Sequence, residues 1–265
     1  MSDLVNKQTR ILGHLLLENP PAARLALVAW RPLMMSRLAD VTNAAIHEGE
    51  IMLELAFLPV LIEISATIAY AVSGVLEASR KQMDIVGVST VAFAAAFGGG
   101  TLRDLLIDRR PFFWVAHSEY VWMTLGLCGV AMLWMRSHHV NLTARAIQLP
   151  DTLGLGLFSI AGTAHAIHAG MPPLVATLMG VVTAVFGGVI RDVLCNEIPG
   201  VFTDHRPYAV CAFAGAWLYL GLDYLQLPNV VSMTLGVVAI VGLRLLAQAR
   251  DWRLPTARAS LDDSL

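Results

Sequence analysis

The chain has 265 residues, of which 56% are hydrophobic and only 14% charged, with a formal net charge of −2 at neutral pH. Soluble domains carry about 25% charged residues, so this composition and a mean hydropathy of +0.63 exclude an ordinary soluble domain and indicate an integral membrane protein. The near-zero net charge leaves no footprint for a nucleic-acid partner, which needs clustered Lys and Arg on a water-facing surface.

Residues 1–51 are polar by comparison with the rest, carrying Lys7, Arg10, Glu18, Arg24, Arg31, Arg37, Asp40, Glu48 and Glu50 around a turn-like Asn19-Pro20-Pro21. The apolar run Leu25–Met35 is cut by Arg31 and Pro32 and is too short to span a bilayer, and the segment lacks the layout of a secretory signal. Two readings stay open: a start at Met52, or an amphipathic surface helix over residues 22–38.

From residue 53 onward, windows near the ~20 apolar residues of a membrane span fall at Leu58–Leu76, Ile85–Ile107, Tyr120–Trp134, Leu153–Ile167, Leu174–Leu194, Tyr208–Leu222 and Val230–Leu246. The expected fold class is therefore all-α, a polytopic membrane protein of seven transmembrane helices. The first window contains Glu63, Ser73 and Gly74, and Glu77 follows its end. The second contains Phe97-Gly98-Gly99-Gly100-Thr101-Leu102-Arg103-Asp104, and the fifth repeats it as Phe186-Gly187-Gly188-Val189-Ile190-Arg191-Asp192. Cys128, Cys195 and Cys211 are isolated and lack metal-ligand spacing, so they read as core residues.

Equating Arg103 with Arg191 gives an offset of 88, which also pairs Gly74 with Gly162, Met83 with Met171, Gly99 with Gly187, Pro111 with Pro199 and Tyr120 with Tyr208. One gapless offset indicates an internal duplication. The first repeat then covers 53–141 and the second 142–229, with a seventh helix at 230–247 and a tail at 248–265. An odd number of spans per repeat makes the second copy enter from the opposite side, so the repeats are inverted.

Charge asymmetry sets the orientation. Arg80, Lys81, Arg136, Arg145, Arg206, Arg250, Arg253 and Arg258 fall on the side of the C-terminus, against Arg109 and Arg110 on the other. The C-terminus is expected in the cytoplasm and the N-terminus outside. Arg244, in the last turn of the seventh span, is expected to snorkel to the basic side.

Three consecutive glycines weaken a helix by about 1 kcal/mol each relative to alanine, so both motifs read as interruptions of membrane helices. Irregular backbone at that depth is tolerated only inside protein or beside water. Gly98, Gly99, Gly100, Gly187 and Gly188 are thus candidates for lining or kinking a pathway, with close helix packing as the other reading. Ionisable residues within a span are functional candidates, and Arg103, Asp104, Arg191 and Asp192 are expected to pair, either locally or across the two copies, as a gate or barrier. Glu63, Ser73, Gly74 and Gly162 are candidates for facing the same cavity. The offset sets Glu63 opposite Asp151 and Glu77 opposite His165. Asp151 reads as a helix N-cap and His165 as interfacial. No nucleophile–base set, nucleotide loop or metal cluster is evident, so neither an enzyme nor a cofactor is expected.

The motif Gly98-Gly99-Gly100-Thr101-Leu102-Arg103-Asp104, followed by Pro111-Phe112-Phe113-Trp114-Val115 and then by Phe186-Gly187-Gly188-Val189-Ile190-Arg191-Asp192 with Pro199, resembles a bacterial family of membrane proteins with two glycine transporter domains. That family is related to the trimeric intracellular cation (TRIC) channels. The resemblance covers residues 53–246. It implies a seven-helix protomer of inverted repeats, a homotrimer in the plasma membrane, and a pore in each protomer that passes monovalent cations, chiefly potassium. The second and fifth helices would kink at the glycines. Glycine transport is the alternative activity that the family's name carries, and a non-transporting membrane scaffold is a more distant one.

Overall fold

The structure, a computed structural model, describes residues 58–137 and 144–255. The two readings of residues 1–51 lie outside the described residues, as does the end of the tail. Nine helices are described: α1 (Leu58–Arg80), α2 (Ile85–Leu106), α3 (Phe113–Ala116), α4 (Glu119–Ser137), α5 (Ala144–His168), α6 (Pro173–Leu194), α7 (Gly200–Thr203), α8 (Ala209–Tyr224) and α9 (Asn229–Ala249). A long helix underlies each of the seven apolar windows. Four of them, α1, α2, α6 and α9, are long and apolar enough to cross a membrane by length and composition. The apolar parts of α4 and α8 are shorter, and α5 carries Pro150 and Asp151 near its start.

Local chemistry sets the helix ends. Asp84 caps α2 by accepting the Gly87 amide at 2.8 Å, the usual role of an Asp N-cap. Pro173 opens α6, where its missing N–H costs nothing. After α2, the Arg109 amide reaches back to the Asp104 carbonyl; after α6, the Glu197 amide does the same to Asp192. These closures pass through Asp108 and Asn196, both at positive φ, which Asp and Asn tolerate better than most residues. Gln82 and Gly170 play the same part after α1 and α5. Both pairs stand 88 residues apart, so the duplication extends to backbone turns whose side chains differ.

Helix α6 packs on α2, α5 and α8, and α9 on α5 and α8. Small residues make the close approaches, as expected where helices meet without a hydrophobic driving force. A Cβ on Gly99 would overlap the Thr183 carbonyl oxygen, and one on Gly187 the Ala95 carbonyl oxygen. Similarly, a Cβ on Gly74 would strike the Ala92 backbone and one on Gly162 the Thr183 side chain and the Gly180 backbone. Trp122, Val130 and Leu133 of α4 and Val238 of α9 point outward and exposed, a surface suited to lipid.

Two expectations are corrected. The helices are not interrupted at the glycines, because α2 and α6 run as continuous α-helix through both motifs. Glycine's helix penalty is offset there by the short interhelical distance that only glycine permits. Gly74 and Gly162 serve helix packing rather than facing a cavity, since neighbouring backbone already fills the space beside each.

Candidate functional site

Each Arg–Asp motif ends its helix in an ion cluster. In the second half, Arg191 donates from Nε and Nη2 to Asp192 Oδ1 at 2.9 and 2.8 Å, and from Nη1 to Asp151 Oδ1 at 2.7 Å. Arg191 Nη1 also donates to the Ser73 hydroxyl of α1. The Tyr208 hydroxyl donates to the other oxygen of Asp151 at 2.9 Å, and Asp192 Oδ2 accepts the Gly200 amide that opens α7.

The first half repeats this plan. Arg103 donates from Nε to Asp104 Oδ1 at 2.9 Å and from Nη1 to Glu63 Oε1 at 3.2 Å, and Asp104 Oδ2 accepts the Phe113 amide at 2.8 Å. Arg103 and Asp104 are fully buried. Nη2 of Arg103 lies 2.9 Å from Asp104 Oδ1 but without hydrogen-bond geometry. Where Ser73 binds the arginine of the other half, His165 here binds the acid, Glu63. Its Nε2 lies 2.9 Å from Glu63 Oε1 and its Nδ1 3.4 Å from Arg109 Nη1. Arginine only donates, so Nδ1 is the acceptor and Nε2–H donates to Glu63.

These contacts settle how the charges pair. Each Arg binds its neighbouring Asp and the acid 40 residues earlier, so no Arg–Asp exchange occurs between the copies. The copies are joined instead by Arg191–Ser73 and His165–Glu63. Glu63 and Ser73, expected to face a cavity, thus belong to the clusters. Asp151 is corrected from an N-cap, since it lies inside α5 where Arg191 and Tyr208 claim its oxygens. His165 is corrected from an interfacial residue to a cluster member. Arg244 reaches the loop before α8, donating to Asp204 Oδ2 at 3.0 Å and to the Pro207 carbonyl, with its guanidinium 4.8 Å from the Tyr208 ring centre. These aromatic and carboxylate partners compensate the loss of water around its buried guanidinium.

A cavity of about 230 Å³ opens beside the second cluster. Gly188 and Val185 form its wall on α6, and the charged groups that line it are Asp151, Asp192 and Asp204 against Arg191, Arg206 and Arg244. The charges balance. The fully buried Tyr70 donates to the Ala184 carbonyl of α6 and stacks on Phe158, with ring centres 5.5 Å apart. Tyr70 and Phe158 are themselves related by the 88-residue offset, a pairing legible in the sequence but masked there by the difference in residue type. Among the described residues, no group of three or more His, Cys, Asp or Glu is placed to hold a metal.

An all-helical apolar bundle that seals two Arg–carboxylate clusters inside it, one of them beside a polar cavity, defines a polytopic membrane protein with a charged interior. The family profile described as Glycine transporter matches residues 60–136 and again 148–224, each boundary displaced by 88, and the chain belongs to this family. It is 35% identical over 198 residues to a UPF0126 membrane protein of Vibrio cholerae, covering 74% of this chain and 81% of the relative. It is 32% identical over 195 residues to the UPF0126 inner membrane protein YadS of Escherichia coli K12, covering 74% of this chain and 94% of that one. Among solved structures it resembles the TRIC trimeric intracellular cation channel orthologue from Rhodobacter sphaeroides, with a TM-score of 0.69 and 32% identity over 74% of this chain and 99% of that chain.

Proposed function

We propose that the protein is a TRIC-like channel of the inner membrane that passes monovalent cations, potassium foremost, with its path lined by α2 and α6, on α6 at Gly188 rather than at the packed Gly99 and Gly187. The observation that carries this reading is the charge-balanced cavity beside Arg191, in a fold similar to that of cation channels solved at 32% identity. A passive path needs a wet, partly neutralised lining rather than a tight site. Arg191 alone would repel cations, but Asp151 and Asp192, which line the cavity with it, cancel its charge.

Seven helices cross the membrane in this reading: α1, α2, α4, α5, α6, α8 and α9. The repeats are inverted, as the reciprocal Gly99 and Gly187 contacts favour, because each copy presents the same surface to the other. The C-terminus is cytoplasmic, and the protomer assembles as a homotrimer like the channel it resembles. Arg103–Asp104 and Arg191–Asp192 act as charge barriers at the two ends of the path.

The family's description favours glycine transport as the second reading. Reconstitution of the purified protein in liposomes decides between them: potassium flux without labelled-glycine uptake supports the channel, and saturable glycine uptake without potassium flux overturns it.

A further inference from the structure

The two halves of the molecule differ in one respect that the duplication makes measurable. Subtracting 88 from the cavity residues Val185, Gly188, Val201 and Tyr208 gives Phe97, Gly100, Phe113 and Tyr120. Polar cavity groups are the nearest neighbours of a Cβ built on Gly188, with none closer than 3.4 Å. At Gly100 the same construction runs into the Phe113 ring. Phe113 is fully buried, with its ring centre 5.8 Å from that of Phe97, 6.2 Å from that of Tyr120, and 5.4 Å from the guanidinium carbon of Arg103. An aromatic side chain therefore occupies the space that is open in the other half. The anchor of the short helix differs in step: Asp104 holds the amide of Phe113, whereas Asp192 holds that of Gly200, the counterpart of Phe112.

We propose that Phe113 is an internal plug filling a second cavity, the mirror of the one beside Arg191, and that its withdrawal opens the sealed half of the path to a hydrated monovalent cation. This rests on the channel reading for the identity of the occupant, although the plug itself is a claim about access. The structure is then the state open at one end only. Sliding α3 by one residue on Asp104, into the register that α7 holds on Asp192, moves Phe113 off Gly100 while keeping the carboxylate paired. Arg103 stays bound to Asp104 and Glu63 during the slide, so no buried charge is stranded.

Access is tested separately from conduction. Thr101→Cys and its counterpart Val189→Cys are made in otherwise natural protein, and labelling by a cationic methanethiosulfonate reagent is followed in the purified oligomer, with unsubstituted protein setting the background from the buried native cysteines. Val189→Cys labels readily and Thr101→Cys slowly. Adding Phe113→Val, which installs the side chain of Val201, accelerates Thr101→Cys labelling by about tenfold, as expected if access scales with the open population. The reciprocal Val201→Phe slows Val189→Cys labelling, and it decides the matter should Phe113→Val fail to assemble. In liposomes Phe113→Val raises potassium flux and Val201→Phe lowers it. Unchanged labelling in folded Phe113→Val, or in Val201→Phe where the former does not fold, overturns the plug. Labelling that changes as stated in a protein that passes no potassium upholds the plug and removes the channel reading instead.

Discussion

Gly99 and Gly187 lie against each other's helices reciprocally: Gly99 abuts the carbonyl of Thr183, four residues before Gly187, and Gly187 abuts that of Ala95, four residues before Gly99. Backbone against backbone at both points leaves no flexible side chain to yield. Gly188, one residue along, faces the cavity instead.

That contrast separates two effects that a glycine motif confounds. Alanine at 99 or 187 has to push α2 and α6 apart, and overpacking of this kind costs about 1–3 kcal/mol. Gly99→Ala and Gly187→Ala should each lower the melting temperature and the yield of assembled oligomer. Gly188→Ala should melt like the natural protein, and Gly188→Leu should assemble but pass less potassium by filling the cavity. A Gly99→Ala protein as stable as the parent would remove the close-crossing account.

The two clusters should respond differently to loss of their arginine. Arg103→Gln leaves Glu63 and Asp104 buried without their guanidinium, and breaking a buried pair costs about 3–5 kcal/mol. Arg191 sits at a cavity that water can enter, so Arg191→Gln should cost distinctly less stability while changing flux, because Asp151 and Asp192 then face the path uncancelled. Thermal melting of the two variants side by side checks the order, and equal destabilisation would contradict it.

Much of this was legible in the sequence because the duplication acts as an internal alignment. The offset marked Arg103, Asp104, Arg191 and Asp192, and it set Glu63 opposite Asp151, the very acids that the two arginines share. The seven apolar windows each became a helix for the same reason, since periodicity and composition report on burial directly. What the sequence hid was whatever depends on a partner far along the chain. Asp151 reads as a cap because local pattern cannot reveal Arg191, 40 residues away. His165 looks interfacial because its partners Glu63 and Arg109 come from other segments. The glycine runs read as breaks because helix propensity is local, whereas the compensation at Gly99 comes from Thr183 on another helix. Arg244 differs again: the seventh helix has no copy, so no offset flagged it.

Orientation gives a further prediction. With Arg80, Lys81, Arg206, Arg250 and Arg253 on the side of the C-terminus, a C-terminal fusion to a reporter active only after export should be silent and one active only in the cytoplasm should be active. An active exported reporter would reverse the assignment and with it the side on which the cavity opens.

The last prediction concerns a link between the halves outside the apolar spans. Glu197 Oε1, in the turn after α6, lies 2.6 Å from Lys81 Nζ and 2.8 Å from Arg80 Nη2 at the end of α1, and Arg80 also donates to Glu77 at 2.6 Å. The hydrogen bond from Lys81, with the charges of Arg80 and Lys81, holds the Glu197 carboxyl below its ordinary value of 4.5. A carboxyl whose pKa is depressed on folding binds protons more readily when unfolded, so its contribution is fully present above 4.5 and is lost as the pH falls through the folded value. Glu197 is more than a third exposed, which limits the contribution to the scale of surface pairs, about 0.2–1 kcal/mol. Glu197→Gln should therefore melt slightly below the natural protein at neutral pH. The gap should narrow in high salt, which screens exposed pairs, and close once the pH is well below 4.5. A gap that survives both treatments would mean that Glu197 acts by packing rather than by its charge, and that the ends of α1 and α6 are joined by something other than this ion pair.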